Sequence, residues 1–227
     1  MRILMDARLL NAGGIGRWLR EVNRRWLTDS RVRGIHFLGS RSEIAAWLAG
    51  ADPRGIATVG RWPGSAYSAA RQITWPVIFP GLRGKTDVCV FPHYNVPMFA
   101  HPARSVVIVH DLTHFRFPSG FPLGMRMAGR FLMDSALTKA RRLVTVSEHS
   151  RRDIVEWKPE VVEKLSVIKP GVSKVFGLLR GREHSDALVR WGGLQPFLLT
   201  VGHAKAHKNL ELAVEVIAEA RRFHPDL

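Results

Sequence analysis

Seven short runs of this chain are mostly apolar at successive positions rather than at alternate ones: residues 2–5, 34–38, 88–91, 106–109, 143–146, 165–168 and 197–201. A strand reads this way when both of its faces are buried, as in a parallel sheet covered by helices on each side. Between the runs lie segments with helical spacing of apolar residues, among them residues 17–28, 42–49, 126–140, 148–157 and 210–222. Strand and helix therefore alternate along the chain, which predicts an α/β fold with a doubly wound, Rossmann-like parallel sheet.

With 227 residues and about 150 residues per typical domain, there is room for one full domain and part of a second. The strand-like run at 165–168 ends at Lys169-Pro170-Gly171, and residues 174–195 are rich in glycine and charge without periodicity. This predicts a first domain over residues 1–172, a linker over 173–195 and the start of a second domain over 196–227. In that last part a strand is followed by a helix with apolar Leu210, Ala213, Val214, Ile217 and Ala218. One strand and one helix cannot close a core, so the second domain is expected to continue past Leu227.

The chain carries 34 Lys and Arg against 19 Asp and Glu, a net charge of +15, and is 46% apolar. That balance excludes a disordered tail and a membrane-embedded bundle, and it attracts anionic partners. Nucleic acid is not expected, because no zinc-finger spacing, aromatic RNA-binding motif or helix-turn-helix accompanies the charge. Residues 17–25, flanked by Trp26, and residues 114–142 mix aromatics with arginines. This composition suits an anionic membrane surface or a lipid-linked acceptor. The single cysteine, Cys89, excludes an intrachain disulfide and sits in an apolar run, where it reads as core. The amino terminus does not fit a signal peptide, and no apolar stretch is long enough to span a bilayer. The expected location is the cytoplasm, with peripheral attachment to the inner face of the cytoplasmic membrane.

Three constellations carry candidate chemistry. Gly13-Gly14-Ile15-Gly16 stands between the first strand and the first helix. Glycines admit a ligand close to the backbone, and a helix start turns N–H groups and a positive dipole end toward an anion. The dinucleotide pattern G-x-G-x-x-G is broken by Leu19, and no phosphate-loop lysine follows. A turn that binds no ligand remains open. The second constellation is His110-Asp111, which ends the run 106–109. Side chains at the carboxyl ends of parallel strands line the ligand crevice of such sheets, so His110 is a candidate partner for a sugar hydroxyl or leaving group. Asp111 could hold the imidazole tautomer or brace a loop. His110, Asp111 and His114 are too few ligands for a metal site. The third is the basic loop His203-Ala204-Lys205-Ala206-His207-Lys208-Asn209. Asn209 reads as a helix cap, which sets Lys208 beside unpaired N–H groups, an arrangement suited to a diphosphate.

Taken in order, these segments resemble the GT4 family of retaining glycosyltransferases with the GT-B fold. The resemblance is carried by Gly13-Gly14-Ile15-Gly16-Arg17, by Ile108-Val109-His110-Asp111-Leu112 and by residues 144–154, which include Ser147-Glu148-His149-Ser150. It continues through residues 167–173 and through Leu199-Thr200-Val201-Gly202 with His207-Lys208-Asn209-Leu210. The resemblance implies two Rossmann-like domains across a cleft, the first binding a glycan or lipid-linked acceptor and the second a nucleotide-sugar donor. It further implies that Gly14 and Gly16 lie near the donor phosphates, that His110 meets the transferred sugar, and that Lys208, with His203 and His207, meets the diphosphate. Gly13, Asp111 and Ser147 are then expected to line the acceptor side. No cofactor and no obligatory metal are implied, because cations and a helix end take up the leaving-group charge.

Two departures from the family pattern stand out. His203 and His207 occupy places where arginine is usual, and the family's pair of glutamates in the second domain would lie beyond Leu227. The 227-residue chain alone is therefore expected to have little transferase activity. The implied biology is synthesis of surface polysaccharide or glycolipid. Two alternatives stand beside it: a non-catalytic basic binding module, and an NADP-dependent oxidoreductase with Arg41 facing a 2′-phosphate.

Overall fold

The computed structural model describes residues 1–62, 70–117, 122–172, 177, 186, 189–190, 200–202 and 209–224. These fall into two compact units, Met1–Pro170 and Gly171–Leu227.

The first unit is built on a seven-stranded sheet with every pairing parallel. Its strands are β1 (Arg2–Asp6), β2 (Gly34–Gly39), β3 (Ala57–Arg61), β4 (Val88–Phe91), β5 (Ser105–Val109), β6 (Arg142–Thr145) and β7 (Leu165–Val167). The helices are α1 (Gly13–Thr28), α2 (Arg41–Leu48), α3 (Ala70–Ile78), α4 (Thr113–Arg116), α5 (Leu123–Lys139) and α6 (Glu148–Trp157). The strands lie in the order β3-β2-β1-β4-β5-β6-β7. The chain thus builds outward from β1 to one edge, returns to β4 on the other side of β1, and builds outward again. This is the Rossmann-like, doubly wound α/β arrangement, and the direction of winding switches between β1 and β4.

Alternate residues of each strand enter different cores, which explains the continuous apolar runs. Leu4, Cys89, Phe91, Val107 and Val109 pack with Trp75 of α3, Met133 of α5 and Ile154 of α6. On the opposite face Ile3, Met5, Ile35, Phe37, Val90 and Ile108 pack with Leu19 and Leu27 of α1 and Ile44 of α2. Each buried side chain of this size contributes about 1.5–3 kcal/mol relative to exposure, so both helical layers are bound to the sheet by the same strands.

Three elements have no counterpart among the sequence expectations: the single turn α4 and two longer ones, β3 and α3. Strand β3, Ala57-Thr58-Val59-Gly60-Arg61, has one large apolar residue and lies at the sheet edge, paired through Ile35↔Ala57 to Gly39↔Arg61. Helix α3 contains Pro76, a residue that argues against helix in a local reading, yet Trp75 beside it is fully buried in the core. The glycine segment also differs from a turn preceding a helix that starts at residue 17. Gly13 through Gly16 form the first turn of α1 itself.

In the second unit the described helix is α7 (Leu210–Phe223). Leu210, Ala213, Ile217 and Ala220 form a half-buried stripe, and Val214 and Ala218 are exposed. Asn209 does not cap this helix through its side chain, because its own backbone is left-handed at φ 46°. A left-handed residue directs its side chain away from the N–H groups that an extended cap would reach. Residues 197–199 of the expected strand lie outside the described residues.

Candidate functional site

The carboxyl ends of β1, β4 and β5 share one edge of the sheet, with the switch between β1 and β4 at its centre. β1 ends in Asp6, whose carboxylate takes a two-pronged grip from Arg8: Nε to Oδ1 at 2.8 Å and Nη2 to Oδ2 at 2.7 Å. Both side chains are buried, at 2% and 8% exposure for Arg8 and Asp6, and the guanidinium lies 3.6 Å from the centroid of Trp62. The fork pairing and the indole beneath the arginine offset the burial of the charges, although Arg8 Nη1 is buried with no hydrogen-bond partner among the described residues. The chain then turns through hydrogen bonds from Leu10 N to Ala7 O (3.1 Å) and from Ala12 N to Leu9 O (2.9 Å) and enters α1.

The three glycines at the start of α1 serve different ends. A Cβ on Gly16 would come within 2.8 Å of the Leu10 carbonyl carbon and the Leu9 oxygen, so close packing on the preceding turn requires glycine there. Gly13 has φ +46°, a conformation that favours glycine. Gly14 meets neither constraint: its φ is ordinary and the space about its Cα is open. Ala12 offers no side-chain cap to the helix. The first turn therefore presents backbone N–H groups and the positive dipole end to an unobstructed space, which is the requirement for an anion.

His110 follows β5 and is half-buried. Its Nε2 lies 3.0 Å from the carbonyl oxygen of Pro92. A carbonyl only accepts, so Nε2 carries the proton, and in the neutral ring Nδ1 is left as an acceptor. Burial lowers the imidazole pKa below its ordinary value, outweighing the opposing hydrogen bond to Pro92 and the charge of Asp111. The ring meets Trp18 of α1 edge to face, with centroids 5.9 Å apart. Its backbone is fixed as well, since Ser150 Oγ donates to His110 O at 3.0 Å and Thr145 Oγ1 donates to Val109 O at 2.8 Å. The result is a neutral imidazole held from three elements at the crevice edge, able to accept a proton or a hydroxyl hydrogen bond.

Asp111 is exposed and accepts a 3.0 Å hydrogen bond from Thr113 N, bracing the start of α4; Nε2 of the imidazole is oriented instead by Pro92. Ser147 caps α6 by accepting from Ser150 N at 3.0 Å, and its hydroxyl donates to Ser150 Oγ. Through Ser150 it supports the position of His110. Arg41 is exposed at the first residue of α2. His203, His207 and Lys208 lie outside the described residues. Among the described residues no group of three or more His, Cys, Asp or Glu is placed to hold a metal ion.

Sequence reasoning did not single out Asp6, Arg8 or the segment after β4. There Pro92, His93, Tyr94 and Asn95 are all buried. His93 Nδ1 accepts from Asn95 N at 3.1 Å, and its ring lies 4.1 Å from that of Tyr94. The signal that singled out His110, polar residues directly after a buried strand, is present here too. What was missing was the knowledge that β4 borders the switch point.

A groove of about 310 Å³ also opens between α4, α5 and α6, lined in part by Phe115, Arg116, Asp153, Glu156 and Trp157. Its charges are largely balanced internally, since Arg116 Nη2 lies 2.6 Å from both Asp153 and Glu156.

No protein-family model matches this sequence, and no curated protein matches it significantly.

Proposed function

We propose that this chain forms the acceptor-binding part of a retaining glycosyltransferase of the GT4 kind, with a nucleotide-sugar as donor and a glycan or lipid-linked acceptor. The observation that supports this best is the contact between Trp18 and His110. It joins the open, uncapped start of α1 to the neutral imidazole after β5, so an anion-attracting helix end and a hydrogen-bond acceptor share one edge of a Rossmann-like sheet. Gly16 N already donates to Ala12 O at 2.9 Å, so the expected phosphate contact moves from Gly14 and Gly16 to the N–H groups of Gly13 and Gly14, where a donor diphosphate would have its departing charge stabilised as the glycosidic bond breaks. His110, fixed through Nε2, has Nδ1 available for a hydroxyl of the transferred sugar. The resemblance also assigns diphosphate contacts to Lys208, His203 and His207, which lie outside the described residues. In this reading the acceptor hydroxyl attacks the anomeric carbon on the face that the nucleoside diphosphate leaves, its proton passing to the departing diphosphate, with no protein nucleophile assigned and no obligatory metal expected.

The test is a screen of nucleotide-sugars against glycan and lipid-linked acceptors, using the native gene product and its His110→Ala variant. General acid–base and positioning roles of this kind are worth about 100-fold or more in rate, and His110→Ala should lose at least that. Gly14→Ala and Lys208→Ala should each weaken nucleoside-diphosphate binding while leaving the fold intact. Transfer that is unchanged in His110→Ala, or the absence of any nucleotide binding, would remove the transferase reading in favour of a non-catalytic basic module.

A further inference from the structure

Between Asp111 and Asp134 the sequence contains no acidic residue, three arginines and a dense series of Phe, Leu and Met. In a soluble surface helix the apolar residues of such a segment would turn inward. Here those at the start of α5 do not: Leu123, Met125, Met127 and Phe131 are exposed by 66%, 59%, 64% and 65%, and Phe117 at the end of α4 by 52%. Leu123, Met127 and Phe131 are spaced by four residues and so form one stripe. Core packing begins only further along, at Met133, Ala136 and Leu137. Contiguous exposure of this kind marks a contact surface.

The charges beside the stripe identify the occupant. Arg126 and Arg130 are exposed and have no ion-pair partner among the described residues, unlike Arg116, which is held by Asp153 and Glu156. Arg130 is also held in place, its guanidinium 4.9 Å from the centroid of Trp157. An apolar stripe flanked by exposed arginines, with no acidic residue between Asp111 and Asp134 and with Asp134 itself paired to Lys158, is complementary to acyl chains beneath anionic head groups. Among the described residues no helix is long and apolar enough to cross a bilayer, so the surface would lie on a membrane.

Its place in the fold adds a consequence. α5 returns the chain from the end of β5 to the start of its parallel neighbour β6, so its first turns must stand at the carboxyl edge of the sheet. That edge holds His110 and the start of α1.

We infer that the first turns of α5, together with the end of α4, dock on an anionic membrane surface and hold the carboxyl edge of the sheet against it. The inference rests on exposure and charge and is independent of the transferase reading. It is tested by flotation of the full chain at physiological salt with vesicles of phosphatidylcholine alone or with one-third phosphatidylglycerol. Binding should require the anionic lipid. Each arginine near such a surface contributes roughly five-fold in affinity, so Arg126→Gln with Arg130→Gln should weaken binding by about 25-fold. Leu123→Ser with Met127→Ser and Phe131→Ser should abolish it, with an unchanged circular dichroism spectrum, because these side chains lie outside the core. Failure of the native chain to float would overturn the inference. So would undiminished flotation of both variants, which would assign binding to the overall charge. A self-association of the native chain that the serine variant loses would assign the face to a second copy. Vesicle binding without any sugar transfer would leave the docking surface standing and remove only the proposed reaction.

Discussion

Trp18 and His110 meet edge to face, with ring centroids 5.9 Å apart and planes at 86°. One belongs to the second turn of α1 and the other follows β5, two strands away from β1 in the sheet. The contact, with the hydrogen bond from Nε2 to Pro92 O, leaves the imidazole little rotational freedom.

The first prediction concerns pH. Burial lowers the pKa of His110, His36 and His101 below their ordinary values. The unfolded chain, with ordinary histidines near 6.5, then binds protons more readily than the native state. The stability associated with these rings is complete above about pH 6.5 and is lost as pH falls through their native values. Thermal melting should be insensitive to these groups between pH 7 and 8 and should decline below 6.5. Imidazole resonances followed by NMR should place His110 below a free histidine; titration at or above the ordinary value would contradict the assignment.

The two glycines of α1 should respond in opposite directions. Gly16→Ala forces a methyl group against the backbone at Leu9 and Leu10 and should cost about 1–3 kcal/mol in urea unfolding. Gly14→Ala meets open space and should stabilise the helix by up to about 1 kcal/mol. Equal effects at both positions would mean that the first turn is not packed as described.

The buried pair of Asp6 and Arg8 should not tolerate loss of one partner. Asp6→Ala leaves an arginine with 2% exposure beside Trp62 without its counter-charge. Destabilisation of about 3–5 kcal/mol is expected in chemical denaturation. A cost below about 1 kcal/mol would show that the guanidinium is solvated after all.

Cys89 provides a probe of the core. Burial pushes its thiol pKa up to about 12. Ellman's reagent at pH 8 should leave the native protein unmodified and react with one thiol once urea unfolds the sheet. Rapid labelling of the native state would place β4 outside the core.

The parallel α/β class was readable from local pattern because continuous apolar runs and helical spacing are properties of neighbouring residues. β3 and α3 escaped the same reading. An edge strand with Val59 as its one large apolar residue takes its structure from pairing with β2, and a helix containing Pro76 is held by the burial of Trp75. The site divides in the same way. His110 and the glycine segment could be named in advance, because a strand that stops at an ionisable residue, or a helix that opens on glycines, is a local signal. That Gly16 is required by packing while Gly14 is not, and that Asp6, Arg8 and His93 share the edge, depends on strand order and on contacts between residues far apart in the chain. A run of apolar residues specifies that a strand is buried on both faces but carries no record of its neighbours. Only the return of the chain to the far side of β1 sets the switch point, and with it the edge at which the polar residues meet.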